Sequence, residues 1–169
     1  MRPLSKTLNR LEFRSPIGVI EIMENDGAVA ELSFRDRPAG AAESAPSPLL
    51  KACRTQLEEY FAGTRTVFDV PLVLEGTIFQ NEVWTALRNV PYGRTCSYGE
   101  LARRIGRPAA VRAVGAANGA NPVSIIIPCH RIIGGNGSLT GYGGGLWRKK
   151  WLISHERRFA PDAGSLFSS

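Results

Sequence analysis

Apolar and polar residues alternate along the first part of the chain, which predicts β-strands. Such alternation covers residues 11–13, 18–22 and 29–34. Ser15-Pro16 separates the first two runs, and Asn25-Asp26-Gly27 separates the second from the third, and both are turn-forming combinations. Short strands joined by tight turns pair with their neighbours in sequence. We therefore expect a small antiparallel meander.

The pattern changes after a stretch rich in Pro, Gly, Ala and Ser over residues 36–48, which predicts a surface loop. Ser47 is placed to cap a helix with Pro48 in its first turn, and Gly63 is placed to end it. Its buried face would carry Leu50, Cys53, Leu57 and Tyr60. Cys53 is therefore expected to be an unreactive core thiol. Residues 68–74 fit either a last strand or a connector.

From residue 77 the apolar spacing becomes helical. Thr77 with Gln80 and Ser97 with Glu100 are capping boxes, each opening a helix. The first of these helices is expected to stop at Pro91, and the second to run through Ile105 with Leu101 and Ile105 inward. Pro108 is expected to open a third helix that ends near Asn118.

Two short helices, 97–105 and 108–118, joined by a glycine-containing turn, are typical of a helix-turn-helix. The second is striped with small residues and offers only Arg112 and Asn118 as long polar side chains. This helix could approach DNA closely, but it has few side chains with which to recognise base edges in the major groove. An ordinary helical hairpin is the alternative, and the pattern alone does not decide between them.

The remaining chain contains a buried β-branched run at 125–127, closed by Pro128, then a glycine-rich loop over 134–145 and a helix over 147–157. The sequence therefore predicts an α/β (α+β) fold with two domains. Residues 1–75 would form a small strand-rich α/β domain. Residues 76–169 would form a helical, winged-helix-like domain with the helix-turn-helix. We find no internal repeats.

Composition narrows the classes of function. The formal charge is +6 and the pI about 9.7, which favours a polyanionic partner such as nucleic acid. There is no apolar run long enough to cross a bilayer and no secretory signal at the N-terminus, so we expect a cytoplasmic protein and no membrane partner. The three cysteines are widely spaced and odd in number, which argues against disulfides. No spacing suits a zinc site, so no metal is expected.

The candidate chemistry centres on Pro128-Cys129-His130-Arg131. Flanking His and Arg would favour the thiolate, which is the nucleophilic form of cysteine. In extended chain, neighbours point to opposite sides, so His130 would reach Cys129 through a water molecule. Glu156 could turn inward from the last helix and orient the imidazole, as the third member of a triad does.

Several spaced motifs resemble those of the O6-alkylguanine-DNA alkyltransferases (methylated-DNA–protein-cysteine methyltransferases). The resemblance is strong over about residues 77–158 and extends to Ser15-Pro16-Ile17-Gly18 in the first domain. The matching segments are residues 97–102, 113–115, 121–133, 140–145, 151–152 and 155–156.

The resemblance implies a ribonuclease H-like first domain and a stoichiometric repair reaction without a cofactor. An alkyl group would pass irreversibly from O6-alkylguanine, and from O4-alkylthymine, in double-stranded DNA to Cys129 after the nucleotide is flipped out. Tyr98 would donate to the leaving guanine, and Asn121 would brace the turn carrying Cys129. Arg112 would fill the gap in the duplex. Further DNA contacts are expected from Ala113, Asn118, Arg131, Tyr142 and Gly143.

Two alternatives remain open beside direct repair. A lesion sensor would bind DNA without chemistry, although sensors replace the reactive cysteine and Cys129 is present. A cysteine hydrolase would use Cys129 and His130 and turn over repeatedly. A monomer is expected, with cooperative binding along DNA left open. Members of the family that the chain resembles often carry Ser or Ala at the position of Gly143, and vertebrate members carry a bulkier residue than Asn118. The comparison implies a roomier pocket that accepts O6 groups larger than methyl.

Overall fold

A computed structural model describes residues 8–38, 40 and 45–161 of the chain. The chain divides into two compact units, Met1–Leu74 and Glu75–Ser169, which are described separately below. The first contains a three-stranded sheet and a helix, and the second is mainly helical. The mixed α/β fold class expected from the sequence is confirmed.

The sheet of the first unit is the predicted antiparallel meander, in the order β1-β2-β3. Its strands are longer than the alternation suggested, with β1 at Leu8–Ser15, β2 at Gly18–Asn25 and β3 at Ala28–Arg35. Asp26 and Gly27 both have positive φ, +48° and +80°. These are the conformations of a two-residue turn whose twist suits a hairpin, and Asp and Gly tolerate them better than other residues do.

The helix of the first unit, α1, spans Pro48–Phe61 and begins as predicted, with the Ser47 side chain accepting from the Leu50 amide. Its four predicted core residues are all buried: Leu50, Cys53, Leu57 and Tyr60. Residues 68–74 form a connector, with one parallel bridge between Val29 and Leu72. Part of the predicted loop, residues 39 and 41–44, lies outside the described residues.

Both predicted capping boxes are present in the second unit. The elements of this unit follow in the order α2 (Ile78–Leu87), β4 (Cys96–Ser97), α3 (Tyr98–Arg104), α4 (Val111–Gly119), a single 3₁₀ turn (Cys129–Arg131), β5 (Ile132–Ile133) and α5 (Leu146–Phe159). Among the described residues, no helix is both long enough and apolar enough to span a bilayer.

The helix-turn-helix pair is formed by α3 and α4, with Gly106 at φ +73° in the turn between them. The prediction that Pro108 opens the second helix is wrong by three residues. The Ala110 amide donates to the Arg107 carbonyl at 2.9 Å, so Pro108 is the second residue of a turn that its fixed φ favours. Helix α4 begins only at Val111.

Two contacts position these helices around the segment that carries Cys129. The short strand β4, which leads into α3, pairs in parallel with β5, with Cys96 opposite Ile132. The indole of Trp84 on α2 donates to the Ala117 carbonyl on α4 at 2.9 Å. The start of the helix-turn-helix is thus hydrogen-bonded to the chain immediately after residues 129–131.

The isoleucine run at 125–127 is buried as expected, but it forms turns and no strand. The Ile127 amide donates to the Val123 carbonyl at 3.0 Å, and the Cys129 amide to the Ile127 carbonyl at 2.8 Å. Ile125 has φ +70°, which is strained for a β-branched residue. Strain of this kind is concentrated at functional sites, where the surrounding structure holds it in place.

Candidate active site

Cys129 begins the 3₁₀ turn, immediately after Pro128, and is buried. The expectation of an extended chain through Cys129 and His130 is therefore wrong. A 3₁₀ turn has three residues per turn, so consecutive side chains point about 120° apart rather than to opposite faces. Cys129, His130 and Arg131 are nevertheless all buried.

His130 and Glu156 form the pair suggested by their spacing in the sequence. The Nε2 atom of His130 lies 2.6 Å from Oε1 of Glu156, on α5, and both side chains are buried. An ionised carboxylate can only accept, so Nε2 carries the proton in the neutral ring and Nδ1 is left with its lone pair. Nδ1 is buried and has no hydrogen-bond partner among the described residues.

The protonation of His130 follows from its surroundings. Burial lowers the pKa of His130, while Glu156 opposes this shift and the charges of Arg131 and Lys149 add to it. The pKa falls on balance. The resting ring is therefore uncharged, with Nδ1 available to accept a proton.

Arg131 lies inside the protein rather than on its surface. Its guanidinium is buried and bonded within the protein: Nε donates to Oε2 of Glu156 at 2.8 Å, Nη2 to Oε1 at 2.9 Å, and Nη1 to the Val90 carbonyl at 2.7 Å. The Tyr92 ring lies 5.7 Å from the guanidinium carbon. We therefore correct the expectation that Arg131 binds DNA, because its donors are already engaged inside the protein.

The resting state of Cys129 also differs from the expected thiolate. Burial raises the pKa of Cys129, and a hydrogen bond from Asn121 and the charge of Lys149 offset this only in part. The Arg131 charge that was expected to favour thiolate is paired with Glu156 instead. Cys129 is therefore a thiol at rest, and its use as a nucleophile requires a base.

Asn121 makes two hydrogen bonds within the turn before Cys129. Its Nδ2 donates to the Ile127 carbonyl at 2.7 Å, and its Oδ1 accepts from the Val123 amide at 3.0 Å. Asn118, by contrast, is buried at the end of α4 and its Nδ2 lies 3.4 Å from the Cys129 carbonyl. Asn118 therefore contacts the main chain of the reactive segment, and the expectation that it contacts DNA stays a prediction.

Lys149 is a site residue that the sequence reading missed. It is completely buried on α5, and its Nζ donates to the carbonyls of Thr140 at 2.9 Å and Gly141 at 3.3 Å. The Tyr98 hydroxyl donates to the same Thr140 carbonyl at 3.1 Å. Its one sequence signal was its place four residues after Gly145, on the face that also carries Leu152 and Glu156.

The loop before α5 brings Tyr142 close to Cys129. Burial raises the pKa of Tyr142 well above its ordinary value, and the nearby Cys129 adds to the shift. Gly143 is exposed, and a Cβ at this position would meet nothing within 4 Å. The loop therefore has free space at Gly143, next to Tyr142.

Helix α4 presents Arg112 and Ala113 to solvent, while Val114 and Ala117 pack inward. Tyr98, at the start of α3, is half-buried, and its ring lies 3.8 Å from where a Gly115 Cβ would be. His155 packs on the far side of α5, stacked on Trp151 at 4.8 Å. Over the residues described, no group of three or more His, Cys, Asp or Glu could hold a metal ion.

Two family models match the chain. One, described as the ribonuclease-like domain of 6-O-methylguanine DNA methyltransferase, covers residues 12–74. The other, described as the DNA binding domain of the same protein, covers residues 78–158 and so includes Cys129, His130 and Glu156. The methylated-DNA–protein-cysteine methyltransferase of Mycolicibacterium paratuberculosis is 46% identical over 163 residues, which cover 93% of this chain and 99% of the relative.

The chain belongs to the 6-O-methylguanine DNA methyltransferase family. A crystal structure of the Mycobacterium tuberculosis O6-methylguanine methyltransferase matches it with a TM-score of 0.82 and 44% identity, covering 96% of this chain and all of that one. A Mycobacterium tuberculosis OGT solved in complex with DNA matches with a TM-score of 0.79 and 46% identity, covering 93% of this chain and 98% of that one. Membership in the methyltransferase family therefore extends over both units.

Proposed function

We propose that this protein repairs alkylated DNA by moving the alkyl group from O6 of guanine, in double-stranded DNA, onto Sγ of its own Cys129. The observation that carries the proposal is the hydrogen bonding of the neighbouring histidine. His130 is buried and uncharged, its Nε2–H is fixed on Glu156, and its Nδ1 has no partner among the described residues. A buried thiol is thus provided with a base.

The reaction is a displacement at the alkyl carbon. His130 accepts the thiol proton at Nδ1 through a water molecule, and Sγ of Cys129 attacks the alkyl carbon. An S–C bond forms, the C–O6 bond breaks, and its electron pair goes to O6 of the guanine. The proton removed from the thiol is balanced by one gained by guanine. The products are S-alkylcysteine and ordinary guanine.

Guanine leaves poorly as an anion, so protonation of the base in the transition state lowers the barrier. Tyr98 is the proposed donor. Its hydroxyl already donates to the Thr140 carbonyl at 3.1 Å, in the segment that leads to Tyr142 and Gly143. Redirecting that hydrogen bond to the base would need a rotation of the hydroxyl hydrogen and a small movement of the ring.

DNA binding is assigned to α3 and α4. Exposed Arg112 and Ala113 lie on α4, and we propose that Arg112 enters the duplex where the damaged nucleotide has been flipped out. Small side chains on α4 permit close approach to the DNA backbone, and the net charge of +6 favours it. The Mycobacterium tuberculosis relative solved in complex with DNA supports DNA binding by this family member. We also propose that Tyr142 and the main chain at Gly143 contact the flipped base.

The proposed reaction uses each molecule once. A thioether offers no leaving group that water displaces readily, so S-alkyl-Cys129 is not converted back to the thiol. The protein acts as its own acceptor and needs no cofactor. O4-alkylthymine, which carries a comparable exocyclic alkyl-oxygen bond, is proposed as a second substrate. We further propose a cytoplasmic monomer that acts on DNA.

Intact-protein mass spectrometry tests the proposal. The protein is incubated with a duplex carrying O6-methylguanine, and one added methyl group is expected on wild type and on Cys53→Ala. None is expected on Cys129→Ala. Repeated appearance of guanine with an unchanged protein mass would establish a hydrolase and overturn stoichiometric transfer. An unchanged mass with tight and lesion-selective binding would establish a sensor.

A further inference from the structure

Glu156 is shared between two basic residues. Its Oε1 accepts from Nε2 of His130 at 2.6 Å and from Nη2 of Arg131 at 2.9 Å. Its Oε2 accepts from Nε of Arg131 at 2.8 Å and from the Gly93 amide at 3.3 Å. The carboxylate therefore has four donors, and two of them come from one guanidinium in the planar, two-point geometry that Arg prefers.

The guanidinium is itself fixed by groups outside the pair. Its third nitrogen donates to the Val90 carbonyl at 2.7 Å, and Tyr92 lies against it with its ring centre 5.7 Å away. Val90, Tyr92 and Gly93 belong to the segment between α2 and β4. This segment thus holds both the cation and the carboxylate, and the position of Glu156 does not depend on His130 alone.

We propose that Arg131 is a positioning residue that holds Glu156 and takes up part of its negative charge, so that His130 stays an uncharged acceptor for the Cys129 proton. This role rests on the alkyl transfer proposed above. It also assigns a function to the arginine that the sequence reading had placed against DNA.

The pKa of His130 depends on whether the carboxylate beside it is paired with a cation. A buried carboxylate next to an imidazole favours the imidazolium, because opposite charges attract strongly where water is excluded. A cation bound to the same carboxylate cancels much of that attraction. Burial lowers the pKa of His130, Glu156 raises it, and Arg131 lowers it again.

Other charged and titratable groups lie near His130 and must be considered when its pKa is interpreted. Lys149, on α5, lowers its pKa as Arg131 does. Cys129, next to it in the 3₁₀ turn, is a thiol at rest because burial raises its pKa. Tyr92 and Tyr142 are neutral, since burial raises the pKa of each. Arg131 is the cation that is bonded to the partner of His130, so its removal should act most directly.

Loss of the Arg131 charge should make His130 easier to protonate. Without the Arg131 charge, Glu156 stabilises the imidazolium, and the pKa of His130 rises. His130 is then protonated over a wider acidic range and cannot accept the thiol proton there. The acidic limb of the alkylation profile therefore moves to higher pH.

NMR titration of the histidine rings, with no DNA or substrate present, tests the proposal directly. The chain has only two histidines, and the signal absent from His130→Asn identifies His130. Arg131→Met should raise the His130 midpoint by about one pH unit or more, which is a tenfold or larger gain in proton affinity. Arg131→Lys keeps the charge and should stay within about half a unit of wild type.

A second neutral variant keeps the test usable if Arg131→Met does not fold. Arg131→Gln keeps a donor for Glu156 but has no charge, and its His130 midpoint should rise as in Arg131→Met. An unchanged or lowered midpoint in both neutral variants would overturn the proposal, as would an equal rise in Arg131→Lys. Circular dichroism establishes that each variant is folded.

The alkylation rate on O6-methylguanine DNA is then measured against pH for the same variants. The acidic limb should move up with the His130 midpoint in the neutral variants and stay in place in Arg131→Lys. A purely structural role would lower the rate at every pH without moving the limb, and would count against the proposal. Absence of alkylation by wild type would contradict the proposed function and leave the ring titration as an independent result.

Discussion

Lys149 and Tyr98 donate to one acceptor, the carbonyl oxygen of Thr140, at 2.9 and 3.1 Å. The ammonium also lies 5.9 Å from the centre of the Tyr98 ring and bonds the Gly141 carbonyl. A buried lysine thus fixes the start of the loop that leads to Tyr142 and Gly143, together with the tyrosine proposed as proton donor. It also supplies positive charge near Cys129.

Replacing Lys149 should slow the reaction of Cys129. The Lys149 charge offsets part of the burial that raises the pKa of Cys129, so Lys149→Met should raise that pKa further. Each unit of increase lowers the thiolate fraction about tenfold below the pKa. We expect alkylation of Cys129 by iodoacetamide to require higher pH, and the rate on O6-methylguanine DNA to fall by about tenfold or more.

The neighbouring Lys150 provides the matched control for this experiment. Lys150 is exposed, so Lys150→Met removes the same charge from the chain without touching the buried network. Its iodoacetamide profile should match that of wild type. Equal profiles for the two variants and wild type would show that Lys149 does not act on Cys129.

Glu156 should make the stability of the protein depend on acidic pH. Burial alone would raise the pKa of Glu156, but the charges and hydrogen bonds of His130 and Arg131 outweigh it and hold the pKa well below its ordinary value. A carboxyl with a lowered folded-state pKa stabilises the fold above its unfolded pKa, about 4.3. That stabilisation is lost as the pH falls below this value toward the folded-state pKa.

Urea unfolding at several pH values measures this contribution. Glu156→Gln should lower the free energy of unfolding by roughly 3 kcal/mol at pH 7, since Arg131 is left buried without its counter-charge. The gap from wild type should narrow below about pH 4. Glu82→Gln, which breaks an exposed pair with Arg107, should cost less than about 1 kcal/mol. A gap that stays constant with pH would contradict the assignment.

The features predicted best from the sequence are those decided by neighbouring residues. The capping boxes at Thr77 and Ser97 and the Asp26-Gly27 turn depend on contacts within three residues, so their residue types identify them. The role of Pro108 could not be predicted from residue type, because proline has the same φ at the first turn of a helix and in a β-turn. Only the Arg107–Ala110 hydrogen bond distinguishes the two.

The sequence predicted the identity of the main site residues but not the contacts between residues far apart in the chain. Cys129, His130 and Glu156 were recognised from their types and from the family motifs. The direction in which Arg131 points is decided by Glu156, which lies 25 residues later, and by the Val90 carbonyl, 41 residues earlier. Burial of Lys149 likewise depends on carbonyls whose position the fold provides. Helical spacing places Lys149 on the same face as Leu152 and Glu156, but it does not identify the carbonyls that Lys149 contacts.

Cys53 should remain unmodified in the folded protein. Burial in the core of the first unit raises its pKa to about 12. Against an ordinary thiol near 8.5, the thiolate fraction at pH 8 should be lower by about a thousandfold, and burial also blocks access. Iodoacetamide labelling followed by peptide mapping should find Cys53 unlabelled at pH 8 in the native state. Labelling at the rate seen in urea-unfolded protein would contradict the prediction.

Gly143 should set how large an O6-alkyl group the site accepts. It is exposed in the loop beside Cys129, its φ lies outside the left-handed region, and a Cβ there meets nothing within 4 Å. A serine should therefore fit without strain, and Gly143→Ser should change the free energy of unfolding by less than about 0.5 kcal/mol. In the wild-type chain we expect comparable rates of transfer from O6-methyl- and O6-benzylguanine.

The serine side chain of the Gly143→Ser variant would occupy the free space next to Tyr142, where we propose that the base and its alkyl group bind. The substitution should thus slow benzyl transfer several-fold more than methyl transfer, measured as single-turnover rates on matched duplexes. Gly135→Ser is the control, because Gly135 is equally open but lies in the turn after β5. It should leave the ratio of the two rates unchanged. Near-total rejection of the benzyl group by wild type, or an equal effect of both variants on the ratio, would show that Gly143 does not determine pocket size.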